Sequence, residues 1–205
     1  MIPFITTSTS VVHFPPSAHE LRIPDMILGL SRICRFNGQV GRHYSVAEHS
    51  VLVSYLVPRE YALAGLLHDG AEAWIGDMNG IIKNMLRAES PNCFYFELER
   101  QFDALVNEIF AKLKAPDQQL GYFPCVKEAD HDALEMELRY FRDGVGVMAC
   151  WEPDDAYGAF VGRLNELLLP QNALDDSHYS SRTHKYYSDQ PEICGDGSPI
   201  CKCLA

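Results

Sequence analysis

The chain has 205 residues, with 17 Lys and Arg against 28 Asp and Glu, a net charge of −11, and 47% hydrophobic residues. That composition fits one globular domain with a full apolar core. The acidic balance excludes a protein that coats a nucleic-acid polymer by neutralising phosphates, and no run approaches the roughly 18 to 20 apolar residues of a membrane span.

The start, Met1-Ile2-Pro3-Phe4-Ile5, lacks the basic region of a secretory leader, so the expected location is the cytoplasm. Four of the seven cysteines, Cys34, Cys93, Cys125 and Cys150, are scattered singly, which suits reduced thiols rather than a disulfide framework.

Residues 1–22 read as an arm. Ile5 to Val12 is rich in β-branched residues and Pro15-Pro16 breaks any regular element, which predicts a short hairpin or extended strand. Helical periodicity begins at Pro24-Asp25 and covers residues 26–34. Ser45-Val46-Ala47-Glu48 matches a capping box, so a helix is expected from Ser45 to about Val57. Pro58 suits the first turn of the next helix, expected to run unbroken to about Ala73 or Trp74. Leu98, Phe102, Leu105, Ile109 and Leu113 form one stripe of a long amphipathic helix. Pro124 opens another, to about Arg142, and Asp154 is expected to cap the last. Five or six helices with little strand character make the expected fold class all-α. The domain is expected over 23–170. From 171 to 205 the composition turns to Ser, Asp, Tyr and Gly, which reads as a mobile tail. Its Cys194, Cys201 and Cys203 match no standard zinc-ribbon spacing.

The informative stretch is Leu66-Leu67-His68-Asp69-Gly70-Ala71-Glu72-Ala73-Trp74-Ile75-Gly76-Asp77. An apolar helix carries an adjacent imidazole and carboxylate inward, which is expensive unless something pairs with them. Glu72 lies four residues after His68 and three after Asp69, so it projects from the same side. Gly76 is expected to end the helix and let Asp77 fold back. His49, in the helix capped by Ser45, and Asp130, near the start of a later helix, supply two further ligands. Two imidazoles and two carboxylates suit a divalent transition metal such as Zn, Co, Mn or Fe. Such an ion lowers the pKa of bound water toward neutrality.

The order His49, His68-Asp69, Asp130, each on a separate helix, resembles the HD-domain phosphohydrolase superfamily. Leu30 to Gly38, Tyr44 to Ser50 and the closing segments 156–160 and 163–167 look like the small bacterial and phage members related to 5′-deoxynucleotidases and dATP triphosphohydrolases. The resemblance covers about residues 20–169. It implies an all-α helical bundle in which His49, His68, Asp69 and Asp130 hold the metal, with more than one ion per site in some relatives. It implies that Glu72 and Asp77 are the acids assisting the attacking water. Arg35, with Phe36 beside it, matches a substrate-contacting Arg-aromatic pair, and Lys83 and Lys127 match phosphate-facing lysines. Met78-Asn79-Gly80-Ile81 departs from the Pro-rich turn usual in the group.

Two substrates remain open on these residues: a deoxynucleoside triphosphate cleaved to deoxynucleoside and triphosphate, or a deoxynucleoside monophosphate cleaved to deoxynucleoside and phosphate. A third reading is a binding module that keeps the fold without activity. The implied partners are a small nucleotide substrate and further copies of the chain in a homo-oligomer, with neither nucleic-acid polymer nor membrane. For a phage-encoded chain the cytoplasm would be the host's.

Overall fold

The computed structural model describes residues 2–7, 10–113 and 118–169. The architecture is all-α with one small hairpin. Strands β1 (Ile2–Thr6) and β2 (Val11–Phe14) pair antiparallel, as the β-branched arm predicts. Val12 of β2 is fully buried and anchors the hairpin to the core. The tail proposed from residue 171 onward lies outside the described residues.

Among the described residues eight α-helices follow: α1 (Ile23–Arg32), α2 (Val46–Leu56), α3 (Ala62–Leu67), α4 (Glu72–Ile75), α5 (Gly80–Glu89), α6 (Phe94–Ala111), α7 (Pro124–Asp143) and α8 (Pro153–Leu168). Helix α2 is the centre. It packs on α1, α3, α7 and α8, and α1 also packs on α4 and α8. Because α2 is surrounded, it shows little amphipathicity, and Val46 through Ser54 are all buried. The fully buried Tyr44, Met26, Leu30, Leu63, Leu66, Phe102, Phe110 and Phe160 fill the space between helices. Each such side chain contributes about 1.5–3 kcal/mol by leaving water.

Several boundaries differ from the sequence expectation. The α2 capping box is half made: Ser45 accepts from the Glu48 N–H at 3.1 Å, but the buried Glu48 carboxylate turns to the N–H groups of Cys150 and Trp151, both at 2.8 Å. That bond pins the loop before α8, where Cys150 adopts a positive φ of 52°. Glu152, not Asp154, is the N-cap residue of α8, with Pro153 in the first turn; Asp154 instead accepts from Arg32 at 2.9 Å. The segment from Pro58 is not one helix. A single 3-10 turn (Arg59–Tyr61) leads into α3, and α3 and α4 are separated by a tight turn over residues 68–71. There the Gly70 and Glu72 N–H groups bond three residues back, to Leu67 and Asp69, at 2.9 and 3.0 Å.

Gly70 explains why this turn stays tight. A Cβ there would meet the Leu67 carbonyl at 3.0 Å and Val106 of α6 at 3.1 Å, so a larger residue would push the turn off α6. Gly76 ends α4 as expected: its φ of 81° is a conformation that glycine adopts readily, and its N–H bonds the Glu72 carbonyl at 2.8 Å.

Helix α5 is absent from the sequence expectation. Asn79 caps it by accepting from Ile81 N–H at 2.9 Å, and none of its residues is buried. Ile81, Ile82 and Met85 are exposed at 72%, 54% and 68%.

Candidate metal centre

Three segments meet at the site: α2, the α3–α4 turn and α7. Helix α2 brings His49, fully buried, and α7 brings Asp130. The tight turn after α3 brings His68 and Asp69. One ligand atom each from His49, His68 and Asp130 lies within 4.8 Å of the others. Asp69 stands against both rings: its Oδ2 is 3.2 Å from His68 Nε2 and 3.7 Å from His49 Nε2. Asp130 Oδ1 is 3.2 Å from His49 Nε2 and 3.8 Å from His68 Nε2.

The other ring nitrogens each face an acceptor. His68 Nδ1 donates to the Gly65 carbonyl at 2.8 Å, an acceptor only. His49 Nδ1 donates to Glu137 Oε1 at 2.5 Å. In the neutral tautomers these bonds select, both Nε2 atoms carry lone pairs, and both are buried without a hydrogen-bond partner. In that neutral state two imidazole lone pairs and two carboxylates converge, with the closest nitrogen–oxygen separations at 3.2 Å. Such a donor set fits a divalent cation held by nitrogen and oxygen.

The electrostatics agree. Burial pushes the His68 imidazole down, but Asp69 and Asp130 outweigh it and lift the ring to about 10. Burial raises Asp69, but His68, His49 and Arg35 hold it far below the usual carboxylate range. Asp130, likewise raised by burial, is held still lower by His49, His68 and Lys127. The metal-free site thus calls for positive charge.

Glu72 is buried, and its Oε2 has no hydrogen-bond partner. Burial, then the charges of Asp69 and Asp77, push its carboxyl well above the ordinary range. Asp77 is also raised, by burial first and against the pull of Arg35. It lies within electrostatic reach of Asp69 and Lys83.

A cavity of about 230 Å³ opens beside the trio, between the α3–α4 turn, α5, α6 and the start of α7. His68, Asp69, Glu72, Lys83, Lys127 and Asp130 line it, with Tyr122 and Phe123 at its rim. Both lysines are engaged: Lys83 Nζ is 2.5 Å from Glu99 Oε1, and Lys127 Nζ is 2.7 Å from Asp130 Oδ2. Arg35, Phe36 and Asp77 do not border this cavity. Arg35 instead donates from Nε to Glu137 Oε2 at 3.1 Å and stands 3.9 Å from Asp69. Phe36 and Asn37 have φ of 54° and 53°, left-handed values that cost side-chain-bearing residues energy. Phe36 packs edge-on against Phe141 at 5.8 Å.

Three acidic residues at the site are absent from the sequence expectation. Glu137 is fully buried behind His49. Asp103 and Glu99 line the cavity from α6, and burial together with Glu99 and Asp69 lifts Asp103 to about 7. The signal was spacing: Glu137 falls seven residues after Asp130, and Glu99, Asp103 and Asn107 recur every four residues.

No family model matches the chain. It is 31% identical over 157 residues to the uncharacterized protein YfdR of Escherichia coli, spanning 72% of this chain and 85% of that protein. It is also 34% identical over 134 residues to an uncharacterized protein of Rhodobacter capsulatus, covering 60% of this chain and 63% of the relative. No helix among the described residues is long and apolar enough to cross a membrane.

Proposed function

For this chain, which belongs to the family of the Escherichia coli protein YfdR, we propose a divalent-metal-dependent phosphohydrolase of deoxynucleotides built on an HD-type helical domain spanning residues 23–170. The observation that carries the reading is the convergence of His49 Nε2, His68 Nε2 and Asp130 Oδ1, with both imidazole nitrogens orphaned in the interior. Asp69 completes the set.

A divalent cation held there supplies Lewis-acid activation of water and of a phosphoryl oxygen. The chain's own residues supply the rest. Glu72, a buried carboxyl raised above its ordinary range, holds and moves the proton of the attacking water. Asp77 supports Glu72 by keeping that range high. Lys83 and Lys127 face the cavity and exchange their carboxylate partners for phosphate oxygens when a nucleotide enters. Water attacks the α-phosphorus, the bond to the 5′ oxygen breaks, and that oxygen takes a proton as it leaves. The preferred substrate is a deoxynucleoside triphosphate of the dATP type. Arg35, 3.9 Å from Asp69, and Phe36, in the left-handed turn beside it, would read the sugar or base.

We further propose that the chain forms a homo-oligomer, supported by the exposed Ile81, Ile82 and Met85 of α5. Light scattering on the full chain checks this.

The deciding experiment is product analysis. Purified protein meets dATP, dAMP and ATP separately, with Mn, Co or Zn added and with EDTA as control. Deoxyadenosine and triphosphate from dATP establish the triphosphohydrolase. Phosphate from dAMP alone establishes the 5′-deoxynucleotidase instead. Silence with every metal leaves a binding module.

A further inference from the structure

We propose that Glu137 is the positioning residue of the metal centre: by accepting the His49 Nδ1 proton, it fixes the ring so that Nε2 faces His68 and Asp130. The inference rests on the metal-centre reading above and deepens it.

Glu137 is fully buried, and a carboxylate taken out of water costs several kcal/mol unless donors replace its hydration. Three side chains from outside α7 do so. His49 Nδ1 on α2 donates to Oε1 at 2.5 Å. The Tyr44 hydroxyl, just before α2, donates to the same oxygen at 3.0 Å. Arg35 reaches Oε2 from Nε at 3.1 Å and from the second guanidinium nitrogen at 3.1 Å. Arg35 balances the charge, and His49 and Tyr44 fix the direction.

Glu137 does not border the cavity, so it acts through His49 and not on a substrate. It also stands two turns after Asp130 on α7. One rigid helix therefore presents a ligand of its own and sets the tautomer of a ligand on α2. A carboxylate behind a metal-binding imidazole raises the basicity of the far nitrogen and restricts ring rotation. An ion pair kept only for stability would not need an imidazole and a phenol converging on one oxygen.

The test uses the full chain, stripped of metal and titrated with Co(II) alone. Affinity is read by chelator competition, and ligand geometry by the visible absorption band of cobalt. Glu137→Gln should bind cobalt about ten- to a hundredfold more weakly, with a changed band. Tyr44→Phe, which leaves His49 its acceptor, should stay within about threefold of wild type. Wild-type affinity and band in Glu137→Gln would overturn the proposal. If that variant does not fold, Glu137→Asp keeps the charge that Arg35 needs but withdraws the acceptor from His49. Weakened cobalt binding then supports the proposal, and unchanged binding overturns it. A wild-type chain that binds no cobalt overturns the metal-centre reading itself, whereas tight wild-type binding with unchanged variants overturns only the role of Glu137.

Discussion

His49 Nε2 lies 3.2 Å from Asp130 Oδ1, and no hydrogen bond joins them. The Nδ1 proton of the ring is committed to Glu137, so two lone pairs face each other in the interior. A proton or a cation must stand between them. Removal of either partner should therefore empty the site. His49→Ala, His68→Ala and Asp130→Ala are each expected to lose bound metal and turnover together, measured by elemental analysis and product formation on one preparation. A variant that retains a full equivalent of metal would refute its residue as a ligand.

Metal removal should also lower stability, because a cation that binds only the folded chain adds about 2.7 kcal/mol at a hundredfold excess over its Kd. For a chain of this size that corresponds to a fall in Tm of about 5–11 °C on adding EDTA. Calorimetry with and without Co(II) or Mn(II) checks it. An identical Tm in both would mean that the native state holds no cation.

The candidate ligands stand out in the sequence because their signals are local: an adjacent His68-Asp69 after Leu66-Leu67, and a capped apolar helix carrying His49. The supporting residues do not. Glu137 stands in a helix crowded with charge, among Glu128, Asp132 and Glu135, and only its register with Val126, Ala129 and Ala133 marks it as inward. The break between α3 and α4 escaped periodicity because the turn keeps near-helical backbone angles at His68 and Ala71 while its hydrogen bonds shorten to three residues. Helix α5 escaped for the opposite reason: its apolar Ile81, Ile82 and Met85 face outward and pair with no core stripe.

Arg35→Ala separates two roles. The resemblance makes Arg35 a substrate contact, whereas in the structure it pairs with Glu137 and Asp69. The side chain is 12% exposed, so its removal leaves the Glu137 carboxylate buried without its counter-charge. Breaking such a pair costs about 3–5 kcal/mol. The expected outcome is a large fall in Tm of the metal-free chain, read by thermal unfolding. An unchanged Tm with a raised KM would return Arg35 to the substrate alone.

Glu72→Gln keeps the shape and removes the proton acceptor. Metal content should stay at the wild-type level, since Glu72 lies outside the converging trio. The rate should fall by about 10²–10⁴, the range for loss of a general acid–base group. Wild-type kcat in this variant would remove Glu72 from proton transfer.

Asp103 sets a pH dependence. Burial, reinforced by Glu99 and Asp69, lifts its carboxyl from 3.8 to about 7 in the folded, metal-free chain. An acid whose folded value lies above its unfolded one contributes stability below the unfolded value and loses it as pH rises through the folded one. The loss therefore falls between about pH 4 and pH 7. Asp103→Asn cannot ionise and escapes it. The variant and the wild type should unfold at similar temperatures near pH 4, with the variant gaining relative to wild type up to pH 8, both in EDTA. A constant difference across that range would mean that Asp103 is ionised throughout and that the α6 wall of the cavity is negatively charged at neutral pH.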